Sequence, residues 1–139
     1  MLKDVDNPGV FPKQADITIY EFFDYNCGYC KSVVKTIMDV LSIDKKVNFV
    51  FVEFPILSQQ SYFAAKAALA SKNQDLYNKF HLSLMKIRGR VNEEKVFSTA
   101  KKIGLNIDQL KIEMNNPEIE QKLMKNREIA KLLGLNGTP

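Results

Sequence analysis

Between Ala15 and Phe23 the chain alternates in two registers, Ile17, Ile19, Glu21 and Phe23 against Thr18, Tyr20 and Phe22. Both registers are largely apolar, which predicts a strand covered on both faces, with Glu21 the polar exception in its set. From Gly28 the period changes: Val33, Val34, Ile37, Val40 and Leu41 recur at helical spacing until Asp44 and two lysines mark a turn. Val47 to Phe54 is a second apolar run, ended by Pro55. Strand, helix and strand in this order predict a βαβ unit with parallel strands and a right-handed crossover. In such sheets chemistry collects at the carboxyl ends of the strands. Upstream, Met1 to Gln14 reads as an extended lead-in, with Val10 and Phe11 pairing along a sheet edge before Pro12.

After Ser58 the pattern is helical throughout. Ser61 to Ser71 carries Ala64, Ala65, Ala67, Ala68 and Ala70, small enough for close packing, and Gln74 to Ile87 puts Leu76, Tyr77, Phe80, Leu84 and Ile87 on one face. Asn92 is placed to cap a third helix that ends at Gly104, and Asp108 to cap a short fourth, Gln109 to Met114, with Ile107 as a staple. A fifth helix has Asn116 as cap, Pro117 at its first position, Ile119, Leu123, Ala130 and Leu133 on one stripe, and Gly134 as terminator. Gly137-Thr138-Pro139 follow it.

Composition narrows the class. A chain of 139 residues with 45% hydrophobic and 26% charged residues fits one folded domain with a real core. The net charge of +4 comes from lysines scattered over amphipathic segments, with no run beyond pairs, so a solvated surface explains it without a nucleic acid. No apolar run is long enough to span a bilayer, and the polar N-terminal segment reads as neither signal peptide nor anchor.

Chemistry concentrates at Cys27-Gly28-Tyr29-Cys30, which holds both cysteines of the chain. The pair falls where the first strand gives way to the first helix, so both thiols lie on one face of the helix's first turn, close enough to bridge. Cys27 is expected to be exposed at the positive end of the helix, where unpaired N–H groups and the dipole favour a thiolate. Two cysteines are too few for a structural disulfide framework, and with one histidine in the chain no third and fourth metal ligands accompany them. Glu21 reads either as a buried carboxylate with a raised pKa or as an edge-exposed, salt-bridged one, and Glu53 can be read the same way. His81 reads as a partly buried packing residue. Phe22, Phe23, Tyr25 and Tyr29 are placed either to line a groove for unfolded polypeptide or, for the first two, to fill the core.

The segment Asp-Tyr-Asn-Cys-Gly-Tyr-Cys-Lys after Glu-Phe-Phe, Glu53-Phe54-Pro55-Ile56-Leu57 after the second strand, the alanine-rich helix and Gly-Thr-Pro after a long helix resemble the bacterial DsbA-like thiol:disulfide oxidoreductases of the thioredoxin superfamily. The resemblance implies a thioredoxin fold of the α/β class with an inserted all-helical domain: residues 1–57 the N-terminal part, 58–115 the insertion, and 116–139 a return helix and cis-proline loop. Family members continue into two more strands and a closing helix, so it also implies a truncated fold lacking them. It further implies that Cys27 is the nucleophile and Cys30 the resolving thiol. Gly28 and Tyr29 would tune thiolate stability, Glu21 would exchange protons with Cys30, and the backbone beside Thr138 and Pro139 would pair with an extended substrate. Family members with His in the slot of Tyr29 are the strong oxidants, so the potential stays open. The implied partners are cysteine-containing unfolded or partly folded proteins and a membrane redox partner that reoxidises the dithiol, in a periplasmic or otherwise extracytoplasmic compartment. No cofactor is needed. Two classes stay open: a disulfide-introducing oxidase, with isomerase and reductase as variants, and a non-catalytic fragment or binding module of the same fold.

Overall fold

A computed structural model describes residues 6–139. The first five residues of the lead-in lie outside the described residues. Strand β1 (Gly9–Val10) pairs antiparallel with β3 (Val47–Glu53), and β2 (Ile17–Phe23) pairs parallel with the other side of β3, giving the order β1-β3-β2. Phe11, expected to share the edge pairing, lies outside β1 and is exposed. Helix α1 (Gly28–Ile43) makes the crossover, and Glu21 stands opposite Phe51 and Phe23 opposite Glu53.

Alternation along the strands sorts the core into two layers. Phe23, Phe49 and Phe51 pack with Cys27, Cys30 and Val34 and with the helices that follow β3, while Phe22, Val50, Val52 and Phe54 pack on the opposite face with Ile129 and Ala130. The expectation that β2 is covered throughout holds only for its carboxyl half. Ile17, Thr18 and Ile19 are exposed and Phe22 and Phe23 are buried, and β2 is an edge strand of the sheet.

Helices α2 (Gln59–Ala70), α3 (Tyr77–Met85), α4 (Glu93–Lys102) and α5 (Ile107–Glu113) follow, and α6 (Pro117–Leu132) returns to the sheet. Ser58, Asn92, Asn106 and Asn116 cap α2, α4, α5 and α6 with side-chain oxygens, each stabilising its helix by about 1 kcal/mol. Asp108 is therefore not the cap of α5: it sits in the first turn, and Asn106 accepts from Gln109 N at 2.9 Å. The helix expected from Gln74 begins at Tyr77, because Ser71–Gln74 form a 3-10 turn and Asp75 adopts φ +56. Leu133 leaves the stripe of α6, half exposed at its C-cap, and the buried face is completed by Asn126 and Ile129. No helix of the described residues is long and apolar enough to cross a membrane.

Candidate active site

The carboxyl end of β2 delivers Asp24 to Asn26 as a tight turn, in which Cys27 N donates to Asp24 O at 3.0 Å. Cys27 is the N-cap of α1, with extended backbone, and its Sγ takes the place of the usual cap oxygen by accepting from Cys30 N at 3.1 Å. The Cys27 thiol also donates to the Thr138 carbonyl at 3.6 Å, so the loop after α6 closes over the dithiol from 111 residues away in sequence. The Thr138-Pro139 peptide is cis. Both cysteines are free thiols. This geometry corrects one expectation: Cys27 is only 6% exposed, because the Thr138 loop covers a sulfur that its helix position alone would leave open. Cys30 is fully buried, and burial pushes its thiol up to about 12, with the hydrogen bond to Cys27 acting in the same direction. Between them Gly28 faces open space and Tyr29 is 78% exposed.

Two residues of the turn hold it in place, and sequence spacing gave no sign of either role. Asp24, buried, accepts from Asn26 N at 2.7 Å and from Ile56 N and Leu57 N at 2.9 Å each, tying the turn after β2 to the turn after β3. Asn26 spans to the loop before α4, where its Oδ1 accepts from Val91 N at 2.7 Å and its Nδ2 donates to Val91 O at 3.2 Å. Lys31, on the next turn of α1, donates to Ile87 O at 2.9 Å and Gly89 O at 2.8 Å in the same loop.

Beneath the turn lies a buried acid cluster. Glu21 is buried on the face of the sheet that carries Phe23, its Oε1 has no hydrogen-bond partner, and burial raises its pKa from 4.5 to about 7. No hydrogen bond joins it to either cysteine. Glu53 is the better-partnered acid. Its Oε1 accepts from Tyr25 Oη at 2.8 Å and Tyr77 Oη at 2.7 Å, and burial holds its carboxyl well above the usual range against those two bonds. Tyr25 therefore does not line a groove; it is buried, its hydroxyl also 2.9 Å from His81 Nδ1. With the Tyr25 proton on Glu53, the imidazole must donate, which sets its Nδ1–H tautomer. His81, expected to be partly buried, is fully enclosed by Phe23, Tyr25, Phe51 and Tyr77, and burial drives its pKa to about 3, so it stays neutral. Among the described residues no three His, Cys, Asp or Glu side chains converge as a metal site.

The profile of the DSBA-like thioredoxin domain matches residues 18–139. A thioredoxin-like oxidoreductase from Silicibacter pomeroyi DSS-3 is 39% identical and superposes with a TM-score of 0.92 over 96% of this chain and 77% of its own. The thiol-disulfide exchange protein alpha-DsbA2 from Wolbachia pipientis is 29% identical, with a TM-score of 0.90 over 99% of this chain and 75% of its own. A probable disulfide bond formation protein D from Bacillus anthracis is 28% identical over 138 residues, 90% of this chain. The chain spans 64% of that relative's length, and 20% of the length of two Na(+)/H(+) antiporters that it matches at 22% identity. A profile match across both cysteines, the helices after β3 and the Thr138-Pro139 loop, joined to this fold, makes the chain a member of the DSBA-like thioredoxin domain family.

Proposed function

We propose that the protein is a thiol:disulfide oxidoreductase that introduces disulfides into cysteine-containing unfolded or partly folded proteins in an extracytoplasmic compartment. The observation that carries this reading is Cys27 Sγ at the N-terminus of α1, accepting from Cys30 N at 3.1 Å beside the Thr138 carbonyl. A sulfur there is stabilised as an anion by N–H donation and the helix dipole, and so leaves readily from a mixed disulfide. The names borne by the Bacillus and Wolbachia relatives support disulfide formation by exchange.

In the oxidised protein a substrate thiolate attacks Cys27 Sγ. The Cys27–Cys30 bond breaks, its electron pair leaves on Cys30, and a substrate–Cys27 disulfide forms. Cys30, in a site that favours its thiol, takes a proton. We assign the proton store to Glu21, buried on the Phe23 face of β2, whose carboxyl stays protonated up to about pH 7. A second substrate thiolate then attacks the substrate sulfur, the oxidised substrate departs, and Cys27 is released as thiolate. Two electrons have passed to the dithiol, and a disulfide-bearing redox partner, membrane-bound by resemblance, must remove them. The Thr138 backbone, beside Pro139, which has no N–H of its own, receives the extended substrate next to Cys27. Tyr29 and Gly28 form the open surface over which it arrives.

The test is disulfide transfer from the oxidised protein to a reduced, unfolded model protein, followed by loss of substrate thiols. Transfer is expected with the native chain and none with Cys27→Ser; Cys30→Ser, loaded beforehand at Cys27 as a mixed disulfide with glutathione, should exchange glutathione for the substrate thiol and hold a substrate–Cys27 mixed disulfide. Transfer by Cys27→Ser at the native rate refutes the assignment.

A further inference from the structure

The loop between α3 and α4 turns its backbone inward and two arginines outward. Lys31 Nζ holds the carbonyls of Ile87 and Gly89, Lys95 Nζ that of Arg88 at 3.2 Å, and Asn26 both backbone groups of Val91, with Gly89 at φ +72 making the turn. Two lysines are thus spent on carbonyls within the loop, while the side chains of Arg88 and Arg90 are exposed and make no hydrogen bond or ion pair among the described residues. Glu93 and Glu94, the carboxylates nearest in sequence, occupy the first turn of α4 and pair with neither arginine.

Arg90 and Gly89 form one wall of a groove of about 310 Å³ whose other walls are Leu57, Ser58 and Asn26, the residue immediately before Cys27. Leu57 is 54% exposed, and no acidic side chain lines the groove. The site therefore offers an apolar wall and a guanidinium in a groove also lined by Asn26, one residue along the chain from Cys27, its shape held by the bonds of Asn26 and Lys31. Because Asn26 precedes Cys27 in the chain, the groove is within reach of a polypeptide joined to that sulfur.

We propose that this groove reads the residues flanking a substrate cysteine and selects polypeptides with an aspartate or glutamate beside it, held by Arg90 against Leu57, with the exposed Arg88 of the same loop adding to the positive charge. The inference rests on the exchange reading above and adds the class of substrate. Guanidinium groups suit it because their planar donors match a carboxylate in a bidentate fork. At the rim of an open groove the gain is mainly in the rate of productive encounter, and it weakens with salt.

The experiment uses the oxidised full chain and reduced dithiol peptides that differ only in Glu, Ser or Lys beside the first cysteine. The expected order of kcat/KM is Glu, Ser, Lys, with about tenfold between the extremes, which corresponds to about 1.4 kcal/mol. In R88A/R90A, or at about 0.5 M salt, the ratio is expected to fall to about one. Equal rates for the three peptides in the native chain, or a preference that survives in R88A/R90A, overturn the proposal while leaving exchange intact. A second readout is independent of exchange: the same peptides with serine for cysteine, titrated into the chain while the amide resonances of Asn26, Gly89 and Arg90 are followed. Charge-selective shifts without turnover would uphold the groove and sink the exchange reading. Shifts with a short DNA oligonucleotide and none with the glutamate peptide would overturn the groove's assignment to acidic polypeptide.

Discussion

Glu53 shows how much one buried side chain organises. It accepts from Tyr25, two residues before Cys27, and from Tyr77 on α3, so one carboxylate oxygen pins the dithiol turn to the helical layer. Glu53→Ala would leave two buried hydroxyls without acceptors, and chemical unfolding should show a loss of about 2 to 5 kcal/mol; a loss below about 1 kcal/mol would mean the bonds are replaced by water. Tyr77→Phe, which removes a single donor, should cost about 1 kcal/mol. Glu21 and His81 titrate in opposite senses. Because the folded pKa of Glu21 is raised from 4.5 to about 7, its contribution is complete below pH 4.5 and is lost as pH rises through 7. His81, lowered from 6.5 to about 3, contributes fully above pH 6.5 and loses that contribution as pH falls toward 3. Glu21→Gln cannot ionise, so relative to the native chain it should gain stability between pH 5 and 8, by up to about 3 kcal/mol, as measured by urea unfolding at each pH. Parallel pH curves for the two proteins would show that this carboxyl does not titrate in that window. At this scale the cysteine pair was plain from its spacing, whereas the cluster of Tyr25, Glu53, Tyr77 and His81 was not, since its members come from separate segments and no local pattern links them.

Elements were the most legible level. The strands, α1, the capping asparagines at 92 and 116 and the positive-φ glycines at 104 and 134 follow from local chemistry that acts within a turn or two. The misplacements share a cause. Asn106 and Asp108 are both good caps, and the choice went to Asn106, whose backbone is also bound by Gln74: its N–H donates to Gln74 Oε1 at 2.8 Å and its carbonyl accepts from Gln74 Nε2 at 3.2 Å. Leu133, apolar and on the stripe, stays half exposed because α6 ends before it reaches cover. The alanines of α2 were read correctly as a close-packing surface, and Ala64, Ala67, Ala68 and Ala70 are fully buried. Ala68→Leu should therefore overpack the helical layer and lower stability by about 1 to 3 kcal/mol in thermal or chemical unfolding. An unchanged midpoint would show room that this packing does not leave.

At the scale of the molecule, β3 lies between β1 and β2 with a core layer on each face, while β2 keeps its outer edge unpaired among the described residues. Hydrogen exchange should follow that order: the amides of Val50 and Val52 are expected to open only with global unfolding, and the amides of β2 that face away from β3 to exchange orders of magnitude faster. Equal protection on both sides of β2 would show that its outer edge is covered. Periodicity, caps and the spacing of two cysteines determined the βαβ unit, the run of helices and the place of the dithiol at a strand-to-helix junction, because each of these depends on neighbours in the chain. Only the tertiary structure decided that Thr138 lies over Cys27, that Glu53 rather than Glu21 holds the dithiol turn, and that Asn26 and Lys31 bind the loop that exposes Arg88 and Arg90. Those facts depend on contacts across 28 to 111 residues, formed when burial and hydrogen bonding brought separate segments together. Cys27 and Cys30 are thus named by local chemistry, and the environment that makes them usable is supplied by the rest of the chain.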